Sequence, residues 1–526
     1  QREKHPAPQA QPAAQGQLAA PGGEAPKPST QLQAPGAVPA APAAAAPAQE
    51  GAKAVVKTDV LVAEISAAGG DLRRLELSQY SDKEDKAKRF VLFEDQPGRV
   101  YVAQQGLIAE GLPTHKSSYS VTPGTYELAE GADKIELRLA ASEGAGAKVT
   151  KVYTFRRGSY VIDVRFEVEN TGAAAIAPHA YFQLLRDGNP APGDTRMVPT
   201  YTGAAVYTEE GKFHKVDFSA MEKGKTDYPK AADNGWVAMV QHYFVAAWLA
   251  EGKVQREFYT RRVGDNLYSA GLIVPVGSVE PGKTGQVEMR LYAGPQEQDK
   301  LSKLAPGLDL VVDYGWLTFL AVPLFWVLEL FHRWVGNWGV AIILLTVMIK
   351  LLFYPLSAAS YKSMAKMKAV APKLQRIKEL YGDDRQRLHQ AMMELYKTEK
   401  INPMGGCLPI VVQIPVFIAL YWVLLQSVEL RQAPFMLWIQ DLAAPDPYYV
   451  LPIVMAATMF LQTRLNPTPP DPIQARMMQI MPIAFSVFFF FFPAGLVLYW
   501  LVNNILSIAQ QWRINQVLEM KQVARS

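Results

Sequence analysis

Apolar and polar positions follow three regimes along this chain, and each predicts a different kind of structure. From Gln1 to about Lys53 the residues are Pro-, Ala- and Gln-rich, with few aromatic or β-branched side chains. Such a segment cannot bury enough apolar surface to offset its ordering entropy, so residues 1–53 are expected to be a disordered tether. From 54 to 300 the pattern is strand-like, with runs at 55–65, 90–94, 100–104, 134–139, 149–155, 160–168, 238–249 and 287–293. Turn residues punctuate them at Gln96-Pro-Gly98, Pro123-Gly124, Asn170-Thr-Gly172, Glu210-Gly211 and Pro281-Gly282. Many short strands with few helical runs predict a large β-sandwich of about 240 residues.

After about Trp316 the pattern changes to long apolar runs. Spans are expected over 337–357, 407–428, 449–463, 479–492 and 496–512. The last two form a hairpin turning at Pro493-Ala-Gly495, because 480–509 is too long for one crossing of about 20 residues. The third is short and favours a locally thinned bilayer. Residues 308–335 are also apolar in the middle, but Asp309, Asp313, Glu329, His332 and Arg333 crowd the ends, and Pro323 and the tryptophans suit a helix lying in the interface. The fold class is therefore a multi-pass α-helical membrane bundle of about five spans, with a β-domain and a polar helical hairpin over 361–403.

Charge orients the bundle. The hairpin carries Lys362, Lys366, Lys368, Lys373, Arg376, Lys378, Arg385, Arg387, Lys397 and Lys400 against Glu379, Asp383, Asp384, Glu394 and Glu399. Its helices are punctuated by Gly382 and by Asp383 and Asp384 as caps. Its methionines, Met364, Met367, Met392 and Met393, read as its own packing. Basic loops stay cytoplasmic, so the hairpin, the loop bearing Arg464 and Arg476, and the basic tail 513–526 are expected inside. The 429–448 loop, acidic apart from Arg431, and the Pro493–Gly495 turn are expected outside, together with the β-domain. The interfacial placement of 308–335 keeps this alternation intact; a crossing there would invert every later loop. Nothing in the chain carries the N-terminus of the β-domain across, so a further span before Gln1 is expected.

Composition excludes several chemistries. The net charge of +4 is small and concentrated in the hairpin, which argues against a nucleic-acid-binding surface. The single cysteine, Cys407, rules out a disulfide framework and a thiolate metal cluster, and reads as a small buried or lipid-facing residue. The β-region contains no metal-ligand spacing, nucleophile elbow or phosphate loop; His179, His214 and His242 are scattered and read as ordinary histidines. No cofactor is expected, and no ATP-binding loop is present.

The candidate chemistry lies in the bundle. Lys350 sits inside the first apolar run, and no later span offers it an acidic partner. A charge at that depth marks a water-lined site or snorkels to an interface. Helical side chains lean toward their own N-terminus, here the outer side, and Thr346 lies one turn back on the same face; both favour the water-lined reading. The last span carries a stripe of Trp500, Asn503, Asn504, Ser507 and Gln511 with Tyr499 beside it, and Gln413 lies inside the second span next to Pro415. Such groups serve either as helix–helix contacts or, taken together with Lys350, as the lining of a hydrated cleft. A cleft of this kind lowers the cost of moving a polar peptide segment through a low-dielectric layer, and its cation favours segments bearing Asp, Glu or a carboxylate terminus.

The stretches NWGVAIILLTVMIKLLFYPLSAASYKSMAKMKAVAPKLQ, NPMGGCLPIVVQIPVFIALYWVLLQSVELRQAPFMLWIQDL and FPAGLVLYWLVNNILSIAQQW resemble the YidC-type membrane protein insertases of Gram-negative bacteria. The resemblance runs from about Asp309 to Glu519. It implies a non-enzymatic insertase and chaperone of the inner membrane, acting alone on nascent membrane proteins delivered by ribosomes or beside the Sec translocon. It also implies a periplasmic β-supersandwich similar to sugar mutarotases without their activity. By motif match Thr346, Gln413, Tyr499 and Trp500 line the client groove or touch the client, with Lys350 at the position of its positive residue; Asn504 and Ser507 join the groove through the polar stripe. The family's usual arginine is replaced here by Lys350, which keeps a point charge but not bidentate carboxylate binding; Trp500 stands where tyrosine is more common. The hairpin and tail become ribosome contacts. Two other readings differ in class: a secondary transporter with Lys350 as proton or anion site, which lacks the expected internal repeat, and a membrane-anchored carbohydrate enzyme, which lacks paired carboxylates.

Overall fold

The computed structural model describes residues 52–83, 85–191, 200–382, 384–399, 408–465 and 472–523. Residues 1–51 of the expected tether, Cys407 and the proline-rich 466–471 loop lie outside them. The chain divides into two compact units between Val311 and Val312.

The first unit is built of a ten-stranded and a nine-stranded sheet among the described residues. Pairing is antiparallel except where strand Lys53–Lys57 runs parallel to Gly124–Glu127. The strands alternate as half-buried β-structure must: along Leu61–Ser66 every second side chain is buried. The two sheets face each other across an aromatic core, in which Phe90 stacks on Phe244 at 4.0 Å and Phe182 meets Trp248 at 5.2 Å. Two helices, α1 (Phe218–Glu222) and α2 (Gln298–Leu304), complete the unit.

Two sequence runs that read as single strands are hairpins. The 238–249 run is Trp236–Gln241 and Phe244–Leu249, paired antiparallel with a reversal at His242 and Tyr243, the latter at φ 69°. Both strands are buried on both faces, so no polar alternation marked the turn. The 55–65 run is likewise divided, because the Thr58 hydroxyl accepts from the backbone of Val60 and Leu61 and turns the chain.

A polar cluster interrupts the apolar interior. The fully buried Lys151 ammonium donates to Gly69 O at 2.7 Å, Gly70 O and Gln105 O at 3.2 Å, and Gln105 Oε1 at 3.1 Å, with Asp71 Oδ1 at 3.9 Å. Tyr153 hydroxyl joins it at Gly70 O and Gln105 Oε1. Burial pushes the Asp71 carboxyl up to about 7, against the pull of Lys151, and pushes the Lys151 ammonium down to about 8.

The second unit is helical: α3 (Thr318–Val335), α4 (Trp338–Leu352), α5 (Tyr354–Tyr381), α6 (Arg385–Thr398), α7 (Leu408–Gln426), α8 (Val450–Leu465), α9 (Pro472–Phe489) and α10 (Ala494–Val523). Helix α3 stops at Gly336, whose φ of 68° is the left-handed conformation glycine adopts without strain. One face of α3 is buried through Ala321, Leu324, Phe325 and Leu328, while Trp316, Phe319, Trp326 and Trp334 are exposed. By length and composition 315–335 is long enough to cross a membrane, whereas the charge alternation argues for the interface.

The helix over the span expected at 337–357 is bent within it. Helix α4 ends at Leu352 and α5 begins at Tyr354, with a bend of 65° between them. Pro355 explains the break, since it lacks the N–H that would continue the helix and its ring clashes with the carbonyl four residues back. Helix α5 therefore begins at Tyr354, within the expected span, and continues into the hairpin expected from 361. Asp384 caps α6 by accepting from Gln386 N and Arg387 N, and Val370 and Leu374 pack against Met392, Leu395 and Tyr396. Two further boundaries move: α9 starts at Pro472 rather than 479, and α10 runs unbroken to Val523, through most of the segment read as a tail.

Candidate functional site: a polar chain across three helices

Asn337 starts α4 as its cap, with Oδ1 accepting from Val340 N at 3.1 Å. Lys350 lies in the last turn of the same helix, about 20 Å away at ~1.5 Å per residue. The unpaired carbonyls of a helix end favour a cation there. Its half-buried ammonium donates to Ser507 Oγ of α10 at 2.7 Å, and no carboxylate pairs with it among the described residues. Ser507 Oγ passes the chain on to Asn503 O, one turn back, at 2.7 Å. Asn503 Oδ1 accepts from Gln413 Nε2 of α7 at 2.8 Å. Three helices are thus joined by one run of hydrogen bonds, passing through the backbone carbonyl and side chain of Asn503, that ends on a positive charge, and Tyr361 of α5 approaches Ser507 from a fourth.

Of the residues expected at the site, Lys350, Ser507 and Gln413 are brought together in this chain. Asn503 is its middle link, whereas its neighbour Asn504 was the expected one. Asn504 is 6% exposed and its Nδ2 has no partner among the described residues. Thr346 is 1% exposed, with its hydroxyl donating to Ile342 O at 2.7 Å, so that group is satisfied within its own helix. Tyr499 is buried one turn before Asn503, and its hydroxyl lies toward Gln413. Trp500 is half-buried in an aromatic cluster, edge-on to Phe417 at 4.2 Å and 5.5 Å from Phe489. Asn503 was visible in the sequence only as part of the stripe; its alignment with Gln413 depends on the packing of α7 against α10.

The far end of the bundle is held differently. The 429–448 loop accepts Asn337 Nδ2 at Phe435 O (2.8 Å), Ala494 N at Ala444 O (2.8 Å) and Gly495 N at Leu442 O (2.9 Å). The starts of α4 and α10 and this loop therefore lie together, at the opposite end of α4 from Lys350. All three belong to segments that charge assigns to one side.

Chemically, the arrangement offers hydrogen-bond donors and acceptors and one cation. It holds no nucleophile–base pair, and no group of metal-binding side chains occurs among the described residues.

Comparison with known proteins gives two family matches. The family described as "YidC periplasmic domain" matches residues 53–327, and "60Kd inner membrane protein" matches residues 330–522. A protein of Nitrosospira multiformis named "Membrane protein insertase YidC" is 66% identical over 476 residues, covering 90% of this chain and 84% of that protein. One of the same name from Aromatoleum aromaticum is 59% identical over 466 residues, covering 88% and 85%. A solved structure of an active YidC insertase with its first transmembrane domain resolved is 20% identical with a TM-score of 0.40, covering 86% of this chain and 91% of that one.

Proposed function

The chain belongs to the YidC family of inner-membrane protein insertases, non-enzymatic proteins with a β-rich periplasmic domain, and from that premise we propose how its helical unit handles a client. The run Lys350–Ser507–Asn503–Gln413 lines a hydrated cleft open to the cytoplasm. A polar or acidic exported tail enters the cleft, while the client's apolar helix leaves into lipid, where its burial supplies the driving force. The carrying observation is an ammonium at the junction of α4 and α10 that donates to a serine hydroxyl and, among the described residues, pairs with no carboxylate. The tail's carboxylates supply the charge this ammonium lacks.

The charge pattern supports the orientation. The basic pair α5–α6 and the end of α10 face the cytoplasm, and ribosomes delivering nascent membrane proteins dock on them. Helix α3 lies in the interface, its exposed tryptophans at headgroup level. Helices α4 and α8, of 15 and 16 residues, fall short of a hydrocarbon core of about 30 Å and favour a thinned bilayer, which shortens the polar path. Cooperation with the Sec translocon belongs to the same reading. The transporter alternative loses its ground, since the relatives are named insertases.

Photo-crosslinking tests this reading. A crosslinker at Gln413 or Trp500, presented with a ribosome-stalled single-span client, is expected to capture the client from both positions, with Gln413 reaching its polar tail. Capture from neither position, by protein that still inserts the client, contradicts the cleft.

A further inference from the structure

The 429–448 loop has little regular structure, yet Leu430, Ala433, Ile439 and Leu442 are buried in it. It is braced internally: Phe435 N donates to Ile439 O at 2.9 Å, Leu442 N to Ala433 O at 3.1 Å, and Asp441 Oδ1 accepts from Gln432 N and Ala443 N, both at 2.9 Å. Asp446 does more than brace. It is 1% exposed, and its Oδ1 accepts from Trp438 Nε1 and Tyr448 N, each at 3.0 Å. Its Oδ2 accepts from Leu451 N, in the first turn of α8, at 2.8 Å. Hydrogen bonds to an ionised carboxylate are the strong ones, and this carboxylate joins the middle of the loop to the start of a helix.

The neighbours of Asp446 extend the tie. Pro445 pairs with Pro493 across an antiparallel bridge, flanked by the bonds to Ala494 and Gly495 that open α10. Phe435 holds α4 through Asn337 and packs so closely on Gly339 that a Cβ there would lie 2.0 Å from its ring. The starts of α4, α8 and α10 thus converge on one loop, anchored largely through backbone atoms. At the Lys350 end the polar ties between helices include the side-chain bonds Lys350 to Ser507 and Gln413 to Asn503, which a client's polar groups can replace.

We propose that Asp446 is a positioning residue for insertion: by clasping the 429–448 loop onto α4, α8 and α10 it fixes the pivot about which these helices part at their Lys350 ends to admit a client. The proposal rests on the cleft reading. A wrong cleft leaves Lys350 variants harmless, whereas a wrong clasp shows itself at the loop end, as follows.

The test uses the full chain with Cys407→Ser, so that Pro445→Cys with Pro493→Cys provides the two remaining thiols. Residues facing across an antiparallel bridge lie about 4.5–5.5 Å apart at Cα, within disulfide range. Oxidising this pair is expected to leave insertion of a single-span, acidic-tailed client into proteoliposomes within about twofold of the reduced protein, because a pivot need not open. Asp446→Asn sets an amide N–H₂ against N–H donors and is expected to lower insertion about fivefold. Oxidising the cysteine pair in that variant restores it. In a separate Cys407→Ser protein, nitroxides at Leu351→Cys and Ile505→Cys, both exposed, report the α4–α10 distance at the Lys350 end, and Asp446→Asn widens its distribution without client.

The proposal is overturned if oxidation blocks insertion by protein that retains Asp446, an arm that does not depend on whether the Asn variant folds. Asp446→Asn inserting normally, failure of oxidation to rescue it, or an unchanged distance distribution overturns it equally.

Discussion

Lys350→Ala lowers insertion of clients with acidic exported tails about 30-fold, while a client matched in its apolar helix but with a neutral tail falls by far less. The magnitude follows from one unit charge acting on another about 8 Å away at an effective dielectric of about 20, roughly 2 kcal/mol. Lys350 is suited to supply this because its partner, the Ser507 hydroxyl, is uncharged and leaves the full charge available. Lys350→Arg keeps the charge and is expected to insert both clients within a small factor of the parent. Paired insertion yields in proteoliposomes measure the contrast. Equal losses for both tails would mean that Lys350 acts by packing rather than by charge.

The second large effect lies in the β-rich unit and leaves insertion largely intact. Lys151→Met takes a donor from Gly69 O and Gln105 O, leaves Gly70 O to the Tyr153 hydroxyl alone, and leaves Asp71 buried without the neighbouring cation. Each buried acceptor left without its donor costs about 1–3 kcal/mol, which for the acceptors lost here is on the order of 10 °C in melting temperature for a unit of this size. Protease protection of the full chain against temperature reads it out. The pH dependence carries a second signature. The Asp71 carboxyl, raised from 3.8 to about 7, keeps its proton in the folded unit while the unfolded chain has already lost it. Stability therefore falls as pH rises from about 4 to about 7, and Asp71→Asn is expected to flatten that slope. A steep slope surviving in Asp71→Asn assigns it to another group.

Much of the fold was legible because periodicity and turn chemistry agree with it: the alternating strands, the acidic cap before α6 and the apolar runs of α7 and α8. The misread boundaries share a cause, in that local sequence does not show what a neighbour supplies. Tyr354 and Pro355 look like the continuation of an apolar span, yet the proline ends α4 and creates the 65° bend. Gln474, Arg476 and Gln479 look like loop, yet Pro472 opens a helix there, proline being well suited to a first helical position. His242 and Tyr243 carry no turn signal and reverse the chain between two fully buried strands. At the site, the spacing of Trp500, Asn503, Asn504, Ser507 and Gln511 announced a stripe, but sequence could not tell Asn503, which bonds Gln413, from Asn504, which does not. Nor could it show that the Thr346 hydroxyl returns to its own helix.

The central claim is that the Lys350 position is wet from the cytoplasmic side, and aqueous thiol labelling tests it most directly. Lys350→Cys in a Cys407→Ser chain, reconstituted in sealed vesicles with the α5–α6 pair outward, is expected to react with a membrane-impermeant maleimide at a rate comparable to Leu380→Cys, an exposed position on α5. A bound client should slow the reaction at position 350 alone. A thiol at 350 that stays unreactive while Leu380→Cys labels fully would contradict the account.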